Sequence, residues 1–183
     1  MTDESIQNST KHLPLTDVII REARADDAEA LLAYLKVIGS ESDNLTFGEE
    51  GLAIGVEGEK AYLEEMHKKK TSVSLVACKD DKIIGDGSIT ALPLRMSHRA
   101  ELGISVIQPF WNCGVGTMLL KKLIAYAKEN GIELLNLEVR TDNAPAIHLY
   151  EKFGFKRIGI SPAYMKKDDR YYDCLVMYLD LRG

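Results

Sequence analysis

The run Val106-Ile-Gln-Pro-Phe-Trp-Asn-Cys-Gly-Val-Gly-Thr-Met-Leu-Leu120 constrains this chain more than any other stretch. Residues 99–106 read as a strand that ends before Pro109, and Gly114 and Gly116 then open a long amphipathic helix. Glycine lets a backbone approach a ligand closely, and the free N–H groups of a helix start attract anions. The junction is therefore a candidate pyrophosphate cradle, which implies a nucleotide-like cofactor. It is not a P-loop, because no Lys-Ser/Thr pair follows Gly116. Nor is it the dinucleotide fingerprint, because Leu119 stands where the third glycine belongs. Taken alone, the two glycines read better as a bare strand-to-helix turn.

The flanking sequence divides into short elements. Residues 18–23 read as a first strand, and Asp26 or Asp27 can cap a helix whose apolar stripe is Ala30, Leu31, Tyr34, Leu35 and Ile38. Residues 39–58 are rich in Gly, Ser and acidic side chains and read as a loop, followed by a helix over 59–70. Its Lys68-Lys69-Lys70 end reads as a solvated helix terminus. Two strands, 73–78 and 82–92, flank a hairpin turn at Lys79-Asp80-Asp81. The helix over 114–130 repeats apolar residues at Val115, Leu119, Leu123 and Tyr126, and Gly131 ends it. A strand over 134–139 precedes a helix over 143–153, with Asn143 as cap and Pro145 in its first turn. Strands over 155–160 and 171–181 close the chain. This order predicts an α/β (α+β) fold around a mixed sheet, with residues 1–16 as a loose tail and 17–183 as a single domain.

Composition removes several classes of function. A chain of 183 residues with 45% hydrophobic and 28% charged residues suits a soluble globular protein. No apolar run reaches membrane-spanning length, and the first residues lack the basic and apolar regions of a signal peptide. Three cysteines without metal-like spacing point to reduced thiols in a cytosol, and the four histidines pair with no other ligand, so no metal is expected. A net charge of −5 argues against nucleic acid as a partner.

A second motif changes the weight of the first. Leu137-Glu-Val-Arg-Thr-Asp-Asn143 leads into Ala144-Pro-Ala-Ile-His-Leu-Tyr-Glu-Lys-Phe-Gly-Phe155. Together with Val106 to Leu120, it resembles the GNAT superfamily of acyl-CoA-dependent N-acyltransferases. The resemblance covers the element order from Val18 to Leu181 and is motif-specific from about Glu101 to Phe155. The second half is similar, over a small segment, to the ribosomal-protein alanine N-acetyltransferase branch. One departure is plain: Trp111 stands where the family's phosphate loop carries Gln or Arg, and a lone Trp reads first as a packing residue. Cys113 reads as an incidental thiol.

The resemblance implies a mostly antiparallel central sheet flanked by helices on both faces, with acetyl-CoA as co-substrate. Its pantetheine arm would pair with the backbone of Ile104, Ser105 and Val106 as a short added strand, and the Val106 N–H would polarise the thioester carbonyl. The pyrophosphate would sit on N–H groups of Asn112, Cys113, Gly114, Val115, Gly116 and Thr117, with Asn143 contributing from the next helix. Tyr150 matches the family's general acid, although a tyrosine there also reads as packing. The general base is Glu138, by match to the ribosomal-protein branch, or Glu101 on the preceding strand. Strict alternation puts Glu101 on the opposite face from Val106 unless a bulge intervenes. The acceptor would be a small-molecule amine or a peptide N-terminus. Two stretches would bind it: residues 39–58, whose Glu41, Asp43, Glu49, Glu50 and Glu57 would attract a cation, and residues 161–173, which carry both signs. A homodimer is a family-level expectation, and an acyl-CoA-binding sensor without catalysis is the alternative function.

Overall fold

The computed structural model describes residues 15–183. Of the expected tail, residues 1–14 lie outside the described residues, and Leu15 packs against the core. Seven strands form one sheet: β1 (Ile19–Glu22), β2 (Val73–Lys79), β3 (Lys82–Ala91), β4 (Arg99–Val106), β5 (Leu134–Arg140), β6 (Lys156–Lys167) and β7 (Arg170–Asp180). Their order is β1-β2-β3-β4-β5-β7-β6. Every neighbouring pair is antiparallel except β4 and β5. That one parallel pair is joined by a helical crossover, as parallel strands require.

Four helices, α1 (Ala28–Glu41), α2 (Val56–Lys68), α3 (Val115–Glu129) and α4 (Ala144–Lys152), cover the two faces. Side-chain alternation sorts the sheet between them. Ala100, Leu102, Ile104 and Val106 of β4 and Leu135, Leu137 and Val139 of β5 join α3 and α4 in one cluster. Val76 of β2 joins α1 and α2 in the other. Leu119, Leu120 and Leu123 of α3 are fully buried, each contributing about 1.5–3 kcal/mol. The intervening residues of β4 and β5, including Glu101 and Glu138, therefore face the α1–α2 side.

Several boundaries differ from expectation. The α1 stripe begins at buried Ala28, whereas Ala30 is exposed, because Ala28, Leu31, Leu35 and Ile38 recur at three- and four-residue spacing on one face and Ala30 falls outside it. Asp27 does not cap α1 with its side chain. Its two oxygens accept from the Arg21 guanidinium at 2.6 and 2.7 Å, and one also accepts from the Arg24 N–H, tying β1 to the helix start. The helix expected from residue 59 starts at Val56. Residues 161–173 are not a loop between strands but the greater part of a long β6–β7 hairpin.

That hairpin turns at Asp168 and Asp169, both at positive φ (48° and 58°), and the β2–β3 hairpin turns the same way at Asp80 and Asp81 (48° and 59°). Two central residues at positive φ make the tight turn that matches strand twist, and Asp tolerates it.

The α1–α2 connection is packed closely at one point. A Cβ on Gly39 would lie 1.9 Å from the Gly48 carbonyl oxygen. The obstructing carbonyl is main chain, so no flexible side chain can yield. Gly39→Ala is expected to destabilise the fold by about 1–3 kcal/mol, the cost of overpacking, read as a lower urea midpoint with an unchanged slope.

Candidate active site

The β4–β5 pairing stops early. It holds Arg99 to Leu134, Ala100 to Leu135 and Glu101 to Asn136, and no further, although β4 runs on to Val106 and β5 to Arg140. Beyond Glu101 the two strands splay apart. The β3–β4 register, by contrast, is unbroken from Ala91↔Ala100 to Gly85↔Val106, so no bulge moves Glu101 to the face of Val106. Main-chain bonds at both ends, Ile107 N–H to Ile84 and Leu92 N–H to Arg99, fix which residues spend their backbone on β3. By the antiparallel alternation these are 101, 103 and 105. Ile104 and Val106 turn their N–H and C=O groups into the gap. Ser105, expected beside them, does not: its backbone faces β3, and its hydroxyl donates to Asp86 at 2.9 Å.

At the open end of β4 the chain turns into α3. A 3-10 turn over Gln108–Phe110 is followed by Asn112 and Gly114 at positive φ (59° and 96°). The Cys113 N–H, expected to face the phosphate, is instead spent on the Phe110 carbonyl at 3.3 Å. Gly114 offers no side-chain cap, so the N–H groups of Val115, Gly116 and Thr117 lack an intrahelical acceptor. Trp111 has a polar contact besides any packing. It is 43% exposed, and its indole N–H donates to the Val106 carbonyl at 2.6 Å. Trp111 thus takes up the one acceptor that Val106 turns into the gap and leaves its N–H free. Cys113 is a half-buried thiol directed at the Trp111 carbonyl at 3.4 Å.

The other walls come from β5 and α4. Asn143 caps α4 by accepting from the Ala146 N–H at 3.3 Å, and its amide N–H₂ carries no protein partner among the described residues. Tyr150 is 6% exposed, with its ring 5.6 Å from that of Phe155. Burial pushes its phenol up to about 12. Among the described residues, Arg99 Nε is the sole wholly enclosed side-chain polar atom without a partner. The Tyr150 hydroxyl, also unpaired, therefore keeps access to open space.

On the opposite face lies a cleft of about 320 Å³, lined by Glu101, Glu138, Ser88, Thr90, Arg140 and Tyr164, among others. The two expected bases thus share one wall. Partial desolvation first, and the Glu101 charge second, raise the Glu138 carboxyl above its ordinary range. The α1–α2 connection reaches this cleft with Asn44 and Thr46, not with its carboxylates. Those expected to steer the acceptor are mostly engaged elsewhere: Glu41 with the Gln108 N–H, Asp43 with Lys167, Glu50 with the Gly48 N–H and Glu57 with Lys60. An acidic segment finds donors on its own surface before it finds a ligand.

Beneath Ser105 lies a hydrogen-bonded chain that the sequence did not reveal. Tyr34 of α1 bonds the Ser105 hydroxyl at 2.9 Å, and that hydroxyl donates to Asp86 of β3. Burial, with a smaller push from Glu59, raises Asp86 to about 6 despite the Ser105 bond. Because the folded pKa lies above the unfolded one, rising pH ionises the unfolded chain first. Stability is therefore lost between about pH 4 and 6 and stays lost above that. Asp86→Asn keeps an acceptor for Ser105 and removes the charge. It is expected to stabilise the protein at pH 7.5 by about 1–3 kcal/mol, with no gain at pH 4, read as melting temperature against pH.

Known proteins match this chain in sequence and in fold. The family model described as Acetyltransferase (GNAT) family matches residues 44–155, more than half of the chain. The chain belongs to this family. Over 165 residues it is 27% identical to the L-amino acid N-acetyltransferase AaaT of Escherichia coli K12, covering 89% of this chain and 98% of that one. It is 29% identical over 123 residues to the [ribosomal protein bS18]-alanine N-acetyltransferase of Salmonella typhimurium, covering 67% and 80%. A GNAT-family acetyltransferase from Streptococcus pneumoniae superposes with a TM-score of 0.87 at 30% identity, over 91% and 100% of the two chains. The yncA protein of Salmonella typhimurium, solved with acetyl-CoA, superposes at 0.80 with 20% identity, over 91% and 95%. This GNAT protein is an acetyl-CoA-dependent N-acetyltransferase with the expected two-faced, mostly antiparallel fold. Among its described residues no helix is long and apolar enough to cross a membrane, and no cluster of His, Cys, Asp and Glu could hold a metal.

Proposed function

We propose that this GNAT enzyme acetylates a primary amine by direct attack within a ternary complex, and that the acetyl group enters through the β4–β5 gap. The observation that carries the reading is the division of labour across that gap. Ile104, Val106 and Tyr150 pack on the α3–α4 side, and Glu101 and Glu138 lie on the other. A donor threading the gap meets a proton source on one face and proton acceptors on the other.

The residues present fit acetyl-CoA. Ile104 and Val106 offer an open strand edge, and a strand edge pairs with an extended amide chain such as pantetheine. The Val106 N–H is placed to polarise the thioester carbonyl as charge builds on its oxygen. The N–H groups of Asn112, Val115, Gly116 and Thr117 suit a pyrophosphate, and the free Asn143 amide adds a donor from α4. Ser105 contributes no main-chain contact and instead braces β4 through Asp86 and Tyr34.

Glu138 accepts the proton of the ammonium, directly or through a water, with Glu101 beside it. The amine nitrogen then bonds to the acetyl carbon as the C–S bond breaks, Tyr150 gives its proton to the departing sulfur, and the second proton lost by the acylated nitrogen returns to the Tyr150 oxygen through water. The products are an acetamide and a free thiol, and the carboxylate's proton passes to solvent. The relatives named above act on amino acids and on a ribosomal protein's alanine, which supports an amine acceptor.

A panel of amines and peptides, read by free-thiol release from acetyl-CoA, tests this. Release that depends on the amine is the expected result. Acetyl-CoA binding without release for any amine would identify a sensor of this fold and overturn the reading.

A further inference from the structure

We propose that Tyr164 is the specificity-determining wall of the acceptor cleft, and that with Glu101 and Glu138 it selects an ammonium whose neighbouring group is uncharged. The favoured class is an alkyl amine or an amine beside an amide, as at a peptide N-terminus, rather than a free amino acid. This rests on the reading of the cleft as the acceptor site.

The first observation is how Tyr164 reaches the cleft. The β6–β7 register breaks between Ser161 and Met165. Within the break Ala163 adopts φ 51°, a conformation that a non-glycine residue avoids. Its N–H donates to Asp173 Oδ1 of β7 at 2.8 Å, which holds the distortion in place. Asp173 is itself anchored, since its carbonyl accepts from the Thr141 N–H at 3.0 Å. A bulge re-aims the side chains that follow it, and bulges gather beside active sites. Here it turns Tyr164 and Met165 onto the wall that carries Glu101 and Glu138. The charges of both glutamates, after burial, raise the Tyr164 phenol, which places the three groups within electrostatic reach. The ring is 46% exposed, and a half-exposed aromatic face beside two carboxylates attracts a cation.

The second observation concerns the opposite charge. Arg140 is the single cation among the lining residues. Its Nε and Nη2 are bonded to the two oxygens of Asp142 at 2.9 and 2.5 Å, and its Nη1 to the Asp43 carbonyl at 2.9 Å. The guanidinium also lies 4.0 Å over the Tyr172 ring. Three of its five N–H donors are thus spent, and the Asp142 carboxylate neutralises its charge. A substrate carboxylate would meet a cation already paired with Asp142 and would face two like charges, so the cleft discriminates against it by repulsion.

The test compares L-alanine, L-alaninamide and isopropylamine as acceptors for the full-length protein, by thiol release at saturating acetyl-CoA. Isopropylamine replaces the carboxylate by a methyl group without making the amine less basic, which separates charge from basicity. The expected kcat/KM for alaninamide and isopropylamine is at least about tenfold above that for alanine. Tyr164→Ala is expected to raise the KM for alaninamide about tenfold and to leave the KM for acetyl-CoA unchanged, while Tyr164→Phe stays within about twofold. Acetyl-CoA binding reports that each variant is folded, and Tyr164→Leu decides where Tyr164→Ala does not bind it. Alanine used as well as or better than the other two, no turnover of either uncharged-neighbour amine, or an unchanged KM in the folded variant overturns the proposal. If Glu138→Gln still abolishes turnover in that case, the acceptor cleft stands and only the role of Tyr164 falls. If no cleft variant alters amine kinetics, the cleft reading itself falls.

Discussion

Tyr150→Phe is expected to lower kcat about 100-fold, or about 2.7 kcal/mol, while the affinity for acetyl-CoA stays within about twofold. The substitution removes one hydroxyl that bonds to nothing in the protein and leaves the ring against Phe155. It creates no cavity and orphans no partner, so the fold should be unaffected. The magnitude sits at the low end for a general acid. Burial raises the phenol to about 12, well above an alkyl thiol near 8.5, so full transfer to the sulfur is uphill. Tyr150 therefore acts as charge develops, by hydrogen bond and late transfer, and the same burial keeps it protonated throughout the working pH range. No alkaline loss of activity from this group is expected below about pH 10. Single-turnover thiol release measures the effect, and unchanged turnover would remove Tyr150 from the mechanism.

The cofactor half of the site was legible because it is made of backbone, and backbone geometry is written in local sequence. Gly114, Gly116 and Pro109 announce a strand end and a helix start, and Asn143 with Pro145 announces another. The acceptor half is made of register, which local sequence does not carry. Whether Ser105 or Ile104 faces the gap depends on which residue of β3 lies opposite. Whether Tyr164 reaches the cleft depends on one bulge held by Asp173, ten residues away. One further signal lies in the sequence. Lys-Asp-Asp occurs twice, at Lys79 and at Lys167, and both copies make the same positive-φ hairpin turn. Read alike, the second would have predicted strands running through residues 161–173. Trp111 shows the converse limit. Its residue type favoured packing, but a neighbouring carbonyl that would otherwise face the gap gave its indole N–H a partner.

The two glutamates are separable by pH. Glu138→Gln is expected to lower kcat/KM about 100-fold at pH 7.5 and to abolish the acid limb of the profile. In the wild type the base must be ionised, so activity falls as pH drops through the Glu138 pKa. Desolvation and the Glu101 charge raise that pKa, so the fall begins at higher pH than for an ordinary glutamate. Glu101→Gln removes the second of those causes. If Glu138 is the base, the Glu101 variant keeps most of its rate at pH 7.5, and its acid limb moves to lower pH. A base at Glu101 would reverse the pattern, with the large loss in Glu101→Gln and only a modest one in Glu138→Gln. Loss in neither variant would mean that solvent alone removes the proton. The same sign governs stability. A carboxyl whose folded pKa is raised costs stability once it ionises, so Glu138→Gln should melt no lower than the wild type wherever the wild-type carboxyl is ionised. Reduced activity with undiminished stability is the signature of a charge that the fold holds against its preference for the sake of the reaction.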